Sequence, residues 1–383
     1  MNCNICAVAL DQPVYESEIS LISLCNIFPQ PTRVRICANC AHLQTDEIED
    51  AASFYDTEYT ILMESEEDDQ IYEVREGVKI YRTGHQVDVL VDKLKLEPGT
   101  KILDYGCAKS SMMRTLLEDH PHIKPHLYDV SDRYLPFWEK FLQPSHWATY
   151  EVPEAWEAYF DIVTSFFALE HITQPVAVVT HIARLLRPGG LFYGIVPNVL
   201  TNSADLIVID HVNHFTRSSL DCLLTSAGLD VQDIDADAHR GAFVFVAKRT
   251  KDTNTASWSA DAEEVDGSSQ RLRELADFWS GAAKRLRNAE QCTEDDGDLA
   301  VYGAGFYGAF IKSCLAQPER ISCFIDQNPY LQGGDLDGVP IVPPEDLAGD
   351  IHNVFVGLNP AHAKKIIKSV AAFEARDLNY FYI

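Results

Sequence analysis

Between Lys101 and Lys248, short apolar runs alternate with stretches of helical spacing. Lys101–Gly106 (KILDYG), Pro125–Val130 (PHLYDV), Phe160–Phe166 (FDIVTSF), Gly190–Pro197 (GLFYGIVP) and Gly241–Lys248 (GAFVFVAK) read as strands. Strands that alternate with helices predict a parallel sheet covered by helices, an α/β fold. Ahead of this block, apolar residues recur at helical spacing from Ile71 to about Lys95. Residues 1–70 hold short strand-like pieces and many turns, and close on the acidic run Glu64–Gln70, read as a solvated loop or helix end.

After Arg249 the chain turns polar and rich in Ser, Thr and Asp, which predicts a linker over 251–270. Arg271–Gln291 reads as an amphipathic helix, and a second alternating block runs from Asp298 to the end. The expected division is 1–70, 71–250, the linker, and 271–383. A chain of 383 residues is too long for a single core. Its 46% hydrophobic and 23% charged residues exclude wholesale disorder. Neither a membrane-length apolar run nor a leader pattern is evident, so a cytoplasmic protein with no membrane partner is expected, as monomer or homodimer. Acidic groups number 58 against 31 basic, a formal charge of −27, which argues against nucleic acid as a partner.

Without a secretion signal, paired cysteines read as metal ligands before disulfides. Cys3 and Cys6 (CNIC) and Cys37 and Cys40 (CANC) form two CxxC pairs. Each places two thiolates on one turn, and two such turns complete a four-sulfur shell with no open position, the pattern of structural Zn2+. Two unrelated turns or redox pairs are the alternative. Cys25, Cys107, Cys222, Cys292, Cys314 and Cys323 are scattered and read as small core residues.

The strand, loop and helix of KILDYGCAKSSMMRTLLE resemble the first motif of the class I S-adenosylmethionine-dependent methyltransferases. Asp104 and Gly106 fit that motif, while Ala108 and Ser110 stand where later glycines are usual. Small residues let a cofactor approach the backbone, and a helix start offers free N–H groups. Asp129 ends the next strand, where a doubly wound sheet places a carboxylate for ribose hydroxyls. The fourth strand ending at Phe166, the LEH turn at Leu169–His171 and the LLRPGG turn at Leu185–Gly190 continue the resemblance. It implies S-adenosyl-L-methionine as cofactor, with Asp104, Gly106, Cys107, Ala108, Asp129 and Phe166 as its contacts.

The N-terminal cysteines, the FYDTEY run at Phe54–Tyr59, this core and a C-terminal α/β block together resemble the deoxysugar C-methyltransferases. That resemblance implies a zinc-binding N-terminal domain, a class I methyltransferase doubly wound sheet and a C-terminal Rossmann-like domain. It implies a nucleotide-linked 4-keto-6-deoxysugar as substrate. The family's acid–histidine–aromatic run matches DHVNHFT, which puts Asp210 on the acid, His211 on the base and His214 on a position usually aromatic. His171 matches a second family histidine. A tyrosine expected two residues before the acid is replaced by Val208. His239 in HRGAF resembles a turn lining the family's pocket. Neutral imidazole is suited to remove a proton beside a ketone, and a second imidazole to donate to the enolate oxygen. Each histidine also has a structural reading, and a metal role for His211 with His214 stays open. An O-methyltransferase and a non-catalytic sugar-nucleotide-binding protein are the competing functions. Gly303, Gly305 and Gly308 form GxGxxG with Asp326 after the next strand, a dinucleotide pattern that strand–helix packing also explains.

Overall fold

The computed structural model describes residues 1–50, 54, 69–75, 78–250, 258–293 and 297–383. Of the acidic run only Asp69 and Gln70 are described, of FYDTEY only Phe54, and residues 251–257 of the expected linker also lie outside the description. The chain divides into two compact units. The first holds Met1–Asp11, Ile36–Asp205 and Val212–Gln270, and the second holds Gln12–Arg35, Leu206–His211 and Arg271–Ile383.

The first unit is built on a seven-stranded sheet. In chain order its elements are α1 (Arg82–Lys93), β1 (Lys101–Tyr105), α2 (Ser111–Asp119), β2 (Lys124–Asp129), β3 (Trp147–Thr149), β4 (Phe160–Phe166), α3 (Pro175–Leu185), β5 (Leu186–Pro197), α4 (Arg217–Ser226), β6 (Leu229–Asp235) and β7 (Ala242–Arg249). Their order across the sheet is β3-β2-β1-β4-β5-β7-β6. The first five are parallel, and β7 pairs antiparallel with both β5 and β6. All five apolar runs are strands.

Alternate residues supply two cores, because successive side chains on a strand leave by opposite faces. Leu103, Val163 and Phe192 join Phe160, Phe245 and the buried residues of α3 and α4. Ile102, Ile162 and Tyr193 join Leu90, Met113, Leu116 and Trp138. The bulk of Phe245 is accommodated at Gly194, where a Cβ would stand 2.3 Å from the ring.

Two readings of local structure change. Ile71–Arg75 and Val78–Tyr81 form an antiparallel hairpin, and the helix starts only at Arg82. Tyr, Val and Ile prefer extended backbone, and here that preference prevails over apparent helical spacing. Ala262–Gln270, expected in the linker, opens the helix α5 (Ala262–Gln291). The Asp261 carboxylate accepts from the N–H groups of Glu263 and Glu264, and those two acids sit in the first turn, where the helix dipole favours them.

The second unit carries β8 (Leu299–Tyr302), α6 (Phe306–Cys314), β9 (Ile321–Ile325), β10 (Asp335–Leu336), β11 (Val339–Val342), β12 (Asn353–Val356), α7 (Ala363–Lys368) and β13 (Asn379–Tyr382). The order is β10-β11-β9-β8-β12-β13, parallel except for β10. Tyr15–Ser17 pairs with Thr32–Ile36 in register Tyr15↔Val34, and Ser20–Leu21 pairs with Ile27–Phe28. The segment Leu206–His211 is attached to this second hairpin: Leu21 bridges Val208, and Ile209 N–H donates to Leu21 O at 2.9 Å.

Packing accounts for two glycines of the GxGxxG run. A Cβ on Gly308 would stand 2.0 Å from Gly303 O, and one on Gly303 would stand 2.3 Å from Gly357 O. Gly305 has no atom within 4 Å of its would-be Cβ. Gly308→Ala is therefore expected to destabilise by about 3 kcal/mol or more through overpacking of backbone that cannot yield. Gly305→Ala should stay within about 1 kcal/mol. Thermal unfolding of the full chain followed by circular dichroism checks the pair; equal midpoints would refute the packing account.

Candidate active site

The carboxyl ends of β1, β2 and β4 carry Asp104, Asp129 and Phe166. Asp104 is 2% exposed; one carboxylate oxygen accepts from Thr164 Oγ1 at 3.1 Å and the other from Ser110 Oγ at 3.2 Å. Burial pushes its pKa up to about 7, against the two hydroxyl bonds, which lower it. The loop after it turns on three left-handed residues, Gly106 (φ 73°), Ala108 (φ 44°) and Ser110 (φ 54°). Glycine adopts this conformation freely, whereas alanine and serine each pay a steric penalty of about 1–2 kcal/mol. The loop therefore keeps a glycine-type path at both positions where glycine is replaced.

Asp129 fastens that loop. Its Oδ2 accepts from Ala108 N–H at 2.8 Å and its Oδ1 from Ser131 N–H at 3.3 Å. Trp138, fully buried, donates to Ala108 O at 2.7 Å from the other side. Burial raises the Asp129 pKa while the backbone N–H groups counter it. Cys107 faces inward: its N–H donates to Tyr128 O, its O accepts from Ser110 N–H, and burial raises its thiol. It shapes the loop through its backbone bonds, with its side chain 9% exposed. Val130, which sequence reasoning passed over, is 61% exposed directly after Asp129, an apolar surface at the strand end. Phe166 ends β4 half-buried, with its ring 5.7 Å from that of Tyr193.

The histidines differ in their surroundings. His171 closes the 3₁₀ turn Leu169–His171 and is half-buried, while Glu170 beside it is buried. His214 is fully buried: Nδ1 pairs with Asp205 Oδ2 at 2.9 Å and Nε2 with Thr45 Oγ1 at 2.7 Å. Both ring nitrogens of this candidate catalytic residue are thus engaged. Asn213, which no titratable-residue search would pick, donates to Leu169 O and Ile172 O, and so holds the turn that carries His171. In the second unit Asp210 is fully buried, its two oxygens accepting from Ser23 N–H and Ser23 Oγ, each at 2.7 Å. It thereby anchors the backbone next to His211, which is 8% exposed. Val208 is buried in its bridge to Leu21.

The four cysteines converge. Cys3 Sγ lies 3.8 Å from Cys40 Sγ, Cys6 Sγ lies 3.4 Å from Cys37 Sγ, and all four fall within 4.8 Å of one another. A tetrahedron with Zn–S bonds of about 2.3 Å has sulfur–sulfur edges of about 3.8 Å, so the donor set fits zinc. The two turns repeat one backbone design. Ala7 N–H donates to Cys3 O and Ala41 N–H to Cys37 O, both at 2.9 Å, and both alanines are left-handed. Among the scattered cysteines, Cys292 is exposed, contrary to the core reading, and buried Cys222 Sγ lies 3.9 Å from Ser226 Oγ.

The strand order, the loop clasped by Asp129 and the buried Asp104 define a class I methyltransferase domain. Residues 79–234 match a family model described as a methyltransferase domain. C-methyltransferase NovU of Streptomyces niveus is 31% identical over 218 residues, which covers 53% of this chain and 52% of that protein. A Mycolicibacterium smegmatis protein named "Probable S-adenosylmethionine-dependent methyltransferase" is 28% identical over 115 residues, 27% of this chain and 45% of its own. The chain spans about half the length of the curated relatives it matches. Among solved structures, an S-adenosylmethionine dependent methyltransferase from Mesorhizobium loti aligns with 43% of this chain and 98% of its own at TM-score 0.36 and 16% identity. Residues 79–234 thus form a methyltransferase domain, and about half of the chain is similar to a C-methyltransferase.

Asp104 gives a pH test of the loop that follows β1. Its folded pKa near 7 lies above the ordinary 3.8, so the native state holds a proton that the unfolded chain releases. The stability it contributes is full below pH 3.8 and is lost as pH rises through 7, an amount on the order of 4 kcal/mol. Asp104→Asn should remove this dependence, so that the stability difference, variant minus wild type, grows from pH 4 to pH 8. Urea denaturation of the cofactor-free protein across that range checks it; a pH-independent difference would refute it.

Proposed function

We propose that the chain transfers a methyl group from S-adenosylmethionine to carbon on a nucleotide-linked 4-keto-6-deoxysugar, through an enolate, with His211 as the base. The observation that carries the reading is the anchored Asp210–His211 pair, a buried imidazole on backbone fixed through Ser23. The similarity to a C-methyltransferase supports the choice of carbon.

The loop Gly106–Ser110 would receive the cofactor, Asp129 its ribose hydroxyls, and exposed Val130 its adenine face. Asp104 would supply the negative charge that a cation at the loop requires, and binding would draw its proton off. Bound S-adenosylmethionine supplies an electrophilic methyl on positive sulfur. A ketone's neighbouring carbon becomes nucleophilic only after losing a proton, and neutral imidazole at His211 is suited to take it. Charge then moves to the carbonyl oxygen, where a donor such as His171 lowers the barrier. Holding the acceptor carbon in line with the methyl supplies much of the remaining acceleration. The four cysteines would hold structural zinc, and both substrates suit a cytoplasmic enzyme. The second reading, methylation of a sugar hydroxyl, is favoured by Val208 at the position where the C-methylating family has tyrosine.

His211→Asn, compared with wild type on a panel of dTDP-, GDP- and CDP-linked 4-ketosugars, should lower kcat about 10²- to 10⁴-fold with folding and cofactor affinity unchanged. In heavy water, wild type should exchange the proton next to the ketone and the variant should not. Normal turnover by the variant would overturn the base assignment, and methylation without exchange would favour oxygen.

Elemental analysis should find about one zinc per chain, and Cys37→Ser should lower both the metal content and the thermal midpoint. Purified wild type free of metal would overturn the zinc assignment.

A further inference from the structure

At the carboxyl edge of the first unit's sheet, the turn between β6 and β7, whose HRGAF run resembles a pocket-lining turn, carries a buried acceptor that the reaction steps above leave unassigned. Asn198 N–H donates to Gly241 O at 3.0 Å and so ties this turn to the end of β5. His239 is 5% exposed, and its Nδ1 pairs with Arg240 O at 3.2 Å. A carbonyl only accepts, so Nδ1 carries the proton and Nε2 is the acceptor. That Nε2 is buried and has no partner among the described residues. Native proteins rarely leave a buried acceptor so, and one at a ligand-binding edge points to a ligand donor.

Its surroundings limit what that donor is. Tyr72 lies 5.0 Å from the imidazole, Phe167 5.4 Å and His85 5.4 Å, ring centroid to ring centroid. His85 stacks on Tyr72 at 3.9 Å and pairs through Nε2 with Ala238 O at 3.0 Å, while the Tyr72 hydroxyl accepts from Arg240 N–H at 2.7 Å. These bonds leave the rings themselves as the neighbouring surface. Phe167, just past β4, has φ 51°, an outlying conformation for a bulky residue. The Arg82 guanidinium lies 4.1 Å from the centre of the Phe167 ring. Burial first, then Arg82, hold the imidazole down to about 4, so His239 stays neutral and is a poor base but a constant acceptor. Across the sheet, the cofactor loop follows β1 and is fastened from β2, whereas His239 lies beyond β4, beside β5 and β7. Separation from the cofactor loop, flanking aromatic faces and a neutral acceptor fit an uncharged hydroxyl on a sugar ring.

We propose that His239 is a substrate-binding residue whose Nε2 accepts a hydrogen bond from a hydroxyl of the methyl-accepting sugar, beside the rings of Tyr72 and Phe167. The substrate class rests on the function proposed above.

Two substitutions separate the ring nitrogens. His239→Gln places an amide near Nε2, whereas His239→Asn keeps the reach of Nδ1 toward Arg240 O and stops short of Nε2. Each full-length protein, loaded with S-adenosylhomocysteine, is titrated calorimetrically with dTDP-glucose and with dTDP-4-keto-6-deoxyglucose. Expected are a 10- to 100-fold weaker Kd for Asn, a Kd within threefold of wild type for Gln, and thermal midpoints and S-adenosylhomocysteine affinity unchanged in both. Equal sugar-nucleotide affinity in all three proteins overturns the proposal. So does a loss confined to S-adenosylhomocysteine, which would assign Nε2 to the cofactor. Binding that depends on His239 without methyl transfer upholds the acceptor and removes the C-methylation reading. Failure of wild type to bind either sugar nucleotide overturns both.

Discussion

A single buried carboxamide joins the cysteine-bearing turns to the edge of the methyltransferase sheet. Asn213 is fully buried, and its side chain makes every hydrogen bond that it can. Its oxygen accepts from Asn4 Nδ2 at 2.7 Å and from His42 Nε2 at 3.2 Å. Its amide donates to Leu169 O at 2.9 Å and Ile172 O at 2.7 Å. Asn4 lies inside the first CxxC turn and His42 follows the second, so the two cysteine turns and the turn bearing His171 meet on one group. Aspartate there would offer no donors to the two carbonyls, and leucine would strand all four partners, each at about 1–3 kcal/mol. His42 pays for the arrangement. With Nε2 donating, its Nδ1 is left without a partner among the described residues, and burial holds the ring down to about 3, permanently neutral.

This link gives a metal a mechanical reason to be present. Short strands and turns bury little apolar surface, and a closed tetrahedral shell on the four cysteines would supply rigidity. Asn213↔Gln44 and His214↔Leu43 extend the turns as a short antiparallel ladder, and the Asp205–His214–Thr45 chain closes it with buried polar bonds. Distortion of the cysteine turns would therefore be felt at the turn bearing His171 through Asn213.

Much of this was legible in the residues, and what was not has physical causes. The five central strands could be read because buried strands concentrate apolar residues in short runs. The cysteine turns could be read because their spacing is a local property. The hairpin Ile71–Tyr81 was taken as helix because its apolar residues satisfy both periods, and only β-branched and aromatic preference separates them. Asp261 turned an apparently linker-like stretch into the start of α5 through two hydrogen bonds that composition does not reveal. Within DHVNHF, attention went to the titratable histidines, yet the group that organises the site is the neutral Asn213 between them. Its importance comes from four partners distant in sequence. The partners of His214 were hidden for the same reason: Asp205 and Thr45 become its neighbours only in the fold.

The two α/β units also show which part of a shared design carries ligand chemistry. In each, the loop glycine after the first strand donates to the end of the neighbouring strand, Gly106 to Tyr128 O at 2.9 Å and Gly303 to Ile325 O at 2.7 Å. In each, the next residue on that neighbouring strand is an aspartate that accepts from a loop N–H, Asp129 from Ala108 at 2.8 Å and Asp326 from Ala304 at 2.9 Å. A carboxylate clasping its own loop is thus common to both and cannot by itself signal a cofactor. What differs is the residue two places before the glycine: Asp104 in the first unit, fully buried Val301 in the second. Only the first unit accepts the cost of burying a second carboxyl there, with its pKa raised to about 7. A cationic ligand would repay that cost, and a dinucleotide pyrophosphate would aggravate it. The second unit has valine in that place, and two glycines of its loop, Gly303 and Gly308, are taken up by backbone packing.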